Sequence, residues 1–416
     1  MILTVGVLAA ALQAGGAQPS APAAAFPPEL GYIALLFLLF VVPKFLQRYH
    51  LPGAITSLAM GAAAGLGAGL FLHDPTIHLL STLGIVALFL FAGLDVDFAD
   101  LRREAPFLAQ HVVVQVVLLA GAAFAVRALL RLEVRPAALV ALAILTPSTG
   151  FILDSLGRWG LDPRERFWVR SKAIATEIVA LAALFVILQS TTAGRLALTT
   201  LVLVALVALL PFLFRLFATS IAPYAPRSEF AFLLMVAVLA AYVTRQLGMY
   251  YLVGAFVVGV TAQRFRERLP ALASEQMLHA VEFFASFFVP FYFFGAGLDL
   301  RSDDFRVDAL LLGLVFLGAA VPVRVGVVAL HRRLVLREPL ATGARVALPL
   351  VPTLVFTLVI AAILRDRYAV PPMVFGGLIV YTLLDTVLPG LVLRVPPPEF
   401  EEPHAPEVEA PVYESD

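Results

Sequence analysis

From residue 30 to residue 393 the chain repeats one pattern, a long apolar stretch followed by a short polar break. The stretches lack both the strict alternation of half-buried strands and the polar stripe of a soluble surface helix. Most approach the ~20 residues that carry a helix across a bilayer. They predict thirteen membrane spans, at 30–48, 52–73, 78–95, 107–130, 136–156, 168–189, 196–218, 229–246, 248–262, 277–298, 307–330, 342–364 and 371–393. The expected fold class is therefore an all-α polytopic membrane protein, and an odd number of spans puts its two ends on opposite sides.

Two of these spans break the helix rules. Thr146-Pro147-Ser148-Thr149-Gly150 stands in the middle of 136–156, and Pro349-Leu350-Val351-Pro352-Thr353 in the middle of 342–364. Proline removes a backbone donor and glycine loosens the helix, so both spans should unwind where protein rather than lipid meets the freed carbonyls and amides. A simple pair of proline kinks is the plainer alternative. A repeat favours the first reading. Phe89-x3-Gly93-Leu94-Asp95-x4-Asp100-Leu101-Arg102 lies over Phe293-x3-Gly297-Leu298-Asp299-x4-Asp304-Phe305-Arg306 at one fixed offset, and Pro147 and Pro352 keep step with it to within one residue. The first copy ends a span that runs one way and the second a span that runs the other, so the two halves are inverted. Inverted halves with broken helices at mid-membrane are the build of alternating-access transporters.

Composition sharpens this. The 416 residues are 61% hydrophobic and 14% charged, against roughly 45–50% and 25% for soluble domains, which excludes a soluble globular chain. The 29 basic and 29 acidic residues cancel, so no nucleic-acid partner is indicated. With no cysteine, disulfides and thiolate chemistry are excluded. There is no nucleotide loop, His/Glu metal spacing or nucleophile elbow, so an enzyme is not expected and no cofactor is implied. Placing residue 30 outside puts basic residues at inner span ends by roughly two to one over outer ends, the bias of cytoplasmic loops. A multi-pass bacterial inner (plasma) membrane protein follows, with its N-terminus outside and C-terminus cytoplasmic. Trp159 and Trp168 would form an aromatic belt at one inner loop. Residues 1–28 read as a signal-like or disordered segment, 29–394 as the membrane domain, and 395–416 as a disordered, acidic, proline-rich tail.

Glu177 is the sharpest single residue. It lies near the centre of 168–189 among apolar neighbours, and a carboxylate at that depth marks an ion or proton site unless it is a permanent structural pair. Ser148, Thr149 and Thr176 would supply oxygen ligands beside it. Arg324, inside 307–330, is a buried cation that cannot deprotonate, hence a fixed counter-charge for carbonyl ends or an acid. Asp154 is placed either to line a cytoplasmic funnel or to pair with Arg158, Arg170 or Lys172. Lys172 should snorkel to the inner face. His111 and Gln115 read as interhelical hydrogen-bond partners, Asp95 and Asp299 as interface caps, Glu282 as reaching the inner interface, and Asp385 as ambiguous. Gly61, Gly65, Gly254 and Gly259 permit close helix packing.

In order and spacing, Leu51-Pro52-Gly53, Leu88-Phe89-x3-Gly93-Leu94-Asp95, Thr146-Pro147-Ser148-Thr149, Gly254-Ala255-Phe256-x2-Gly259 and Phe293-Phe294-x2-Gly297-Leu298-Asp299 resemble the sodium/hydrogen exchanger membrane domain of monovalent cation:proton antiporter family 2. The resemblance spans roughly residues 30–393. It implies a core (transport) domain containing two crossed discontinuous helices, moving like an elevator against a dimerisation domain, and hence a homodimer in membrane lipid. It also implies an ion-binding pair on the span after the first broken helix, usually Asp-Asp or Asn-Asp; Thr176-Glu177 occupies that place. Arg324 matches the family's facing basic residue. Pro352-Thr353 stands where many members carry Gly-Glu, and with only the acidic tail after the last span, no nucleotide-binding regulatory domain is expected in this chain. The implied function is electroneutral exchange of Na⁺ or K⁺ for H⁺ at Glu177. The alternatives are a sodium-coupled organic-anion symporter of the same architecture and a non-transporting membrane sensor or assembly subunit.

Overall fold

The computed structural model describes residues 28–393 apart from 50, 97–101, 103, 158, 226–227, 249–250 and 265–274. The predicted terminal segments and Asp100 of the first repeat copy therefore lie outside the described residues. The helices are α1 (Pro28–Leu46), α2 (Gly53–Ala62, continued by a π-turn over Ala63–Gly67), α3 (Pro75–Leu94), α4 (Ala105–Leu130), α5 (Val134–Leu145), α6 (Thr149–Leu156), α7 (Pro163–Gln189), α8 (Ala193–Ser220), α9 (Glu229–Gln246), α10 (Tyr251–Arg264), α11 (Glu275–Leu298), α12 (Val307–Leu336), α13 (Leu340–Ala347), α14 (Leu354–Tyr368) and α15 (Pro372–Val392). Helix falls in every predicted span. Among the described residues, ten spans are individually long and apolar enough to cross a membrane, and α13–α14 makes an eleventh as a pair bent by 50°. The chain is an all-helical, multi-pass membrane protein.

Local chemistry sets where the helices start. Asp74 caps α3, its carboxylate accepting from the amides of Thr76 and Ile77 at 2.8 and 3.1 Å, with Pro75 in the first turn. Asp162 and Glu165 form a reciprocal capping box at α7, again with proline at the start. Each arrangement satisfies amides that the first helical turn leaves without partners.

Beyond α1, the helices sort into two groups by packing. In one, α3 runs along α10 and α11, α2 along α11, and α9 along α10. In the other, α4 runs along α5, α12 along α13 and α15, and α14 along α5 and α15, while α7 touches α4, α5, α6 and α13. The groups touch where α3 meets α6, and α8 bridges α7 and α10. Close approach in the first group depends on paired glycines. A Cβ at Gly259 would fall 2.3 Å from the carbonyl oxygen of Leu90, and one at Gly93 would fall 2.4 Å from that of Phe256. The repeat motif thus places Gly93 at a backbone-to-backbone crossing of α3 and α10. On α4 and α8 the apolar sides point outward, at Val113, Val117, Phe124, Leu201 and Phe212 among others, as a lipid-facing surface requires.

The tryptophans correct one expectation. Trp159 and Trp168 form no exposed belt; both are buried in a small apolar cluster with Ile152, Leu161 and Val346, and the Arg332 guanidinium lies 5.3 Å from the Trp168 ring.

Candidate functional site

The first broken span is α5–α6, interrupted over Thr146–Ser148, where Thr146 and Ser148 are extended. The second is α13–α14, interrupted by a 3-10 turn over Leu348–Leu350 and by Val351–Thr353. Pro147 and Pro352 lie in the breaks as their backbone chemistry requires. Gly150 does not: it is helical in the first turn of α6, where a Cβ would come within 2.8 Å of the Leu88 side chain. Its role is to let α6 approach α3. The two breaks meet directly, the Ser148 amide donating to the Pro352 carbonyl at 2.8 Å.

Breaking α5 frees carbonyls at its C-terminal end, and each has a donor. Thr357 Oγ1 donates to Ala143 O at 2.8 Å, Tyr381 Oη to Ile144 O at 2.6 Å, and Gln115 Nε2 to Leu145 O at 3.1 Å. Gln115 is thus the interhelical partner that its sequence position predicts. Arg324, 8% exposed, spans both breaks. It donates to Leu350 O at 2.5 Å, Val351 O at 2.7 Å and Ile144 O at 3.4 Å, and to Tyr381 Oη at 3.1 Å. A guanidinium supplies five donors in a rigid fork, which suits it to tie together carbonyl ends from two half-helices. Its nearest carboxylate is Asp385 Oδ2 at 3.8 Å, so its observed acid partner is not Glu177.

Asp385 is the residue that sequence reasoning left undecided. It is 0% exposed on α15. Its Oδ2 accepts from Thr353 Oγ1 at 2.8 Å, and its Oδ1 from Thr386 Oγ1 at 3.1 Å and from the Thr353 amide at 3.4 Å. Glu177, 3% exposed on α7, is the buried acid at the other break. Its carboxylate faces the amide and hydroxyl of Thr149, yet Glu177 Oε2 and Thr149 Oγ1 close no hydrogen bond of good geometry. Thr149 and Thr353 are equivalent in the repeat register, which also lays Tyr381 over Glu177 and puts Asp385 one helical turn further on. That register was the available signal for Asp385.

Glu177 borders a cleft shared with Ser148, Gly150, Leu88, Phe89, Val355 and Phe356, too narrow to admit water. Thr176 is turned away from it. Its hydroxyl donates to the Lys172 carbonyl at 2.8 Å and lies 3.1 Å from His111 Nε2. Lys172 does not snorkel; it is 1% exposed, and its ammonium has no hydrogen-bond partner among the described residues. Asp154 falls in α6, with its side chain outside the described residues. Glu282 is exposed and pairs with His279 at 3.4 Å.

A separate vestibule of about 840 Å³ opens where α3 begins and α11 and α14 end. Charged and titratable groups rim it, including His73, His78, Asp299, Arg365 and Asp366, and it descends to Ile85, Leu358 and Val359. Leu88, Phe89, Val355 and Phe356, one turn deeper on α3 and α14, wall the Glu177 cleft. A thin apolar layer therefore separates the vestibule from the buried acid.

The family model for the sodium/hydrogen exchanger transmembrane domain matches residues 33–396. The chain belongs to that family. This exchanger-family chain is thus built as a transporter rather than as an enzyme. It is 28% identical over 74 residues to a probable Na⁺/H⁺ antiporter 3 of Methanocaldococcus jannaschii, a match covering 18% of this chain and 19% of that protein. Its fold is similar to that of the sodium proton antiporter MjNhaP1 from the same organism at pH 8, with a TM-score of 0.64 and 14% identity over 88% of this chain and 95% of the other. An electron-microscopy structure of that antiporter gives a TM-score of 0.59 and 15% identity, covering 88% and 94%.

Proposed function

We propose that this exchanger-family chain exchanges a proton for Na⁺ or K⁺ at Glu177. The observation that carries the reading is a buried carboxylate with an unused oxygen, set against an unused threonine hydroxyl where two broken helices meet. A carboxylate removed from water favours a proton, whereas a desolvated hard cation needs several oxygen ligands. One group therefore serves two competing ligands. Thr149 and Ser148, which stand beside the carboxylate, supply further oxygens. Thr176, whose hydroxyl is already engaged, positions α7 through His111 instead of binding the ion.

Net charge follows from the two acids. Asp385 is fully bonded and stays with Arg324, which leaves Glu177 as the exchanging site, so one H⁺ for one monovalent cation is electroneutral. The helices α4–α7 and α12–α15 form the moving core, sliding against the group around α3 and α11 in a homodimer. With the N-terminus outside and the C-terminus cytoplasmic, the vestibule faces outward. In support, the polar ends at 71–78, 299–301 and 365–366 share its rim, and the loop charges assign all three to the outer face.

The test is dissipation of a pH gradient by added Na⁺ or K⁺ in proteoliposomes. Glu177→Gln should abolish cation-dependent proton flux while leaving the protein folded. Flux retained in that variant would remove Glu177 from the mechanism, and a current driven by membrane potential would overturn electroneutrality.

A further inference from the structure

The Gly-Leu-Asp motif recurs at the C-terminal ends of α3 and α11, and at both ends an arginine of the other helix group grips it. At Asp95, Arg170 of α7 donates to the backbone carbonyl at 2.9 Å and also pairs with the carboxylate. At Asp299, Arg365 of α14 donates to the backbone carbonyl at 2.8 Å. Arg365 also pairs at 2.5 Å with Asp304, the repeat motif's second aspartate. A helix C-terminus presents unpaired carbonyls with partial negative charge, which a guanidinium complements. Because the two halves are inverted, one contact lies at each membrane face.

We propose that Arg170–Asp95 and Arg365–Asp299 are a pair of latches, one at each face, that hold the two helix groups in the conformation with the outer vestibule. The inference rests on the sliding movement proposed above. Arg170 sits on α7, two turns before Glu177, so the inner latch acts on the helix that carries the exchanging acid. A slide of about one helical turn, roughly 5 Å, would part contacts of this length. Both latches are closed at once, so both belong to the same end state and both open in the other. Arg170 and Asp95 are only partly buried, which keeps the contact weak enough to break in every cycle. Both arginines are positioning residues; neither touches the ion.

The absence of cysteine makes the test direct. Ala362→Cys puts one thiol on the vestibule wall, and its modification by a membrane-impermeant maleimide, in liposomes with that face outward, reports how often the vestibule is open. Arg170→Gln acts at the opposite face and cannot alter the label's surroundings. Under conditions where the vestibule-open state is the minor one, so that labelling follows the open-to-closed ratio, it should slow labelling about fivefold, the change expected from losing one partly exposed charged contact. Arg170→Lys should recover part of the rate. Asp95→Asn, which spares the carbonyl contact, should slow labelling less than Arg170→Gln and serves as the second variant if that one does not fold. Labelling unchanged within twofold, or faster, in the folded variants would overturn the latch. Labelling needs no transport. A shift in labelling without cation-driven proton flux in the parent would sink the exchange reading alone; intact flux with unshifted labelling would sink the latch alone.

Discussion

Removing the Arg324 guanidinium tests the physical claim that organises the site, that one fixed cation holds two broken helices and a buried acid together. Arg324→Met would leave Asp385 without its counter-charge and the Leu350 and Val351 carbonyls without their donor. At 3.8 Å, an effective dielectric of about 20 gives an attraction of about 4 kcal/mol. That agrees with the ~3–5 kcal/mol lost when one partner of a buried pair is deleted. In a chain of this size the loss corresponds to a fall in Tm of roughly 5 °C. Asp385→Asn should cost a comparable amount, because it leaves the cation buried. The double variant decides the matter, since with both charges gone neither is stranded. Its destabilisation should fall short of the sum of the single changes by at least ~2 kcal/mol. The assay is thermal unfolding of the four purified proteins in one detergent. Additive single changes would mean that Arg324 serves the carbonyls alone and Asp385 is held by its threonines.

Two further outcomes follow from the same geometry. Lys172→Met replaces a buried ammonium that has no hydrogen-bond partner among the described residues by an apolar chain of similar length, so Tm should hold or rise; a fall of more than a few degrees would show that the ammonium is paired. Partial burial in the vestibule wall, reinforced by Asp366, raises the Asp299 carboxyl above its ordinary range. A raised acid gives stability that is complete below its unfolded value of about 3.9 and lost as pH rises through the folded value. Asp299→Asn should therefore be more stable than the parent at pH 7, and its advantage should fade as the pH drops toward 4. A constant difference in Tm between those pH values would contradict the assignment. The latch at that end should survive this change, because Arg365 bonds the backbone carbonyl.

Much of this was legible in the chain because the bilayer makes backbone chemistry explicit. Pro147 and Pro352 could not sit in unbroken lipid-facing helices, so the breaks are legible in the sequence itself. Glu177 was equally plain, as a carboxylate among aliphatic residues. Gly150 misled because a glycine beside a break has two uses, loosening a helix or admitting a neighbour, and only the Leu88 contact tells them apart. Lys172 misled because snorkelling depends on a free path to water, which the packing around it denies. The tryptophans carried no sign of whether an inner loop would fold back over them. Asp385 was hidden because its meaning comes from Thr353, distant in sequence, and only the exact register of the repeat brings the two together.

Symmetry alone would give the two breaks the same chemistry, with a threonine at each half-helix start and an acid beside it. The chain departs from it by one helical turn: α7 carries its acid at Glu177, whereas on α15 the equivalent place holds Tyr381 and the acid comes at Asp385. The shift brings Asp385 within 3.8 Å of Arg324 and leaves Tyr381 to bond the end of α5. Glu177 keeps an oxygen unused. Two equivalent free acids would bind two ions and compete for one cation. A single turn of offset makes one acid part of the frame and leaves the other with an oxygen unused, which is what the exchange proposed at Glu177 requires.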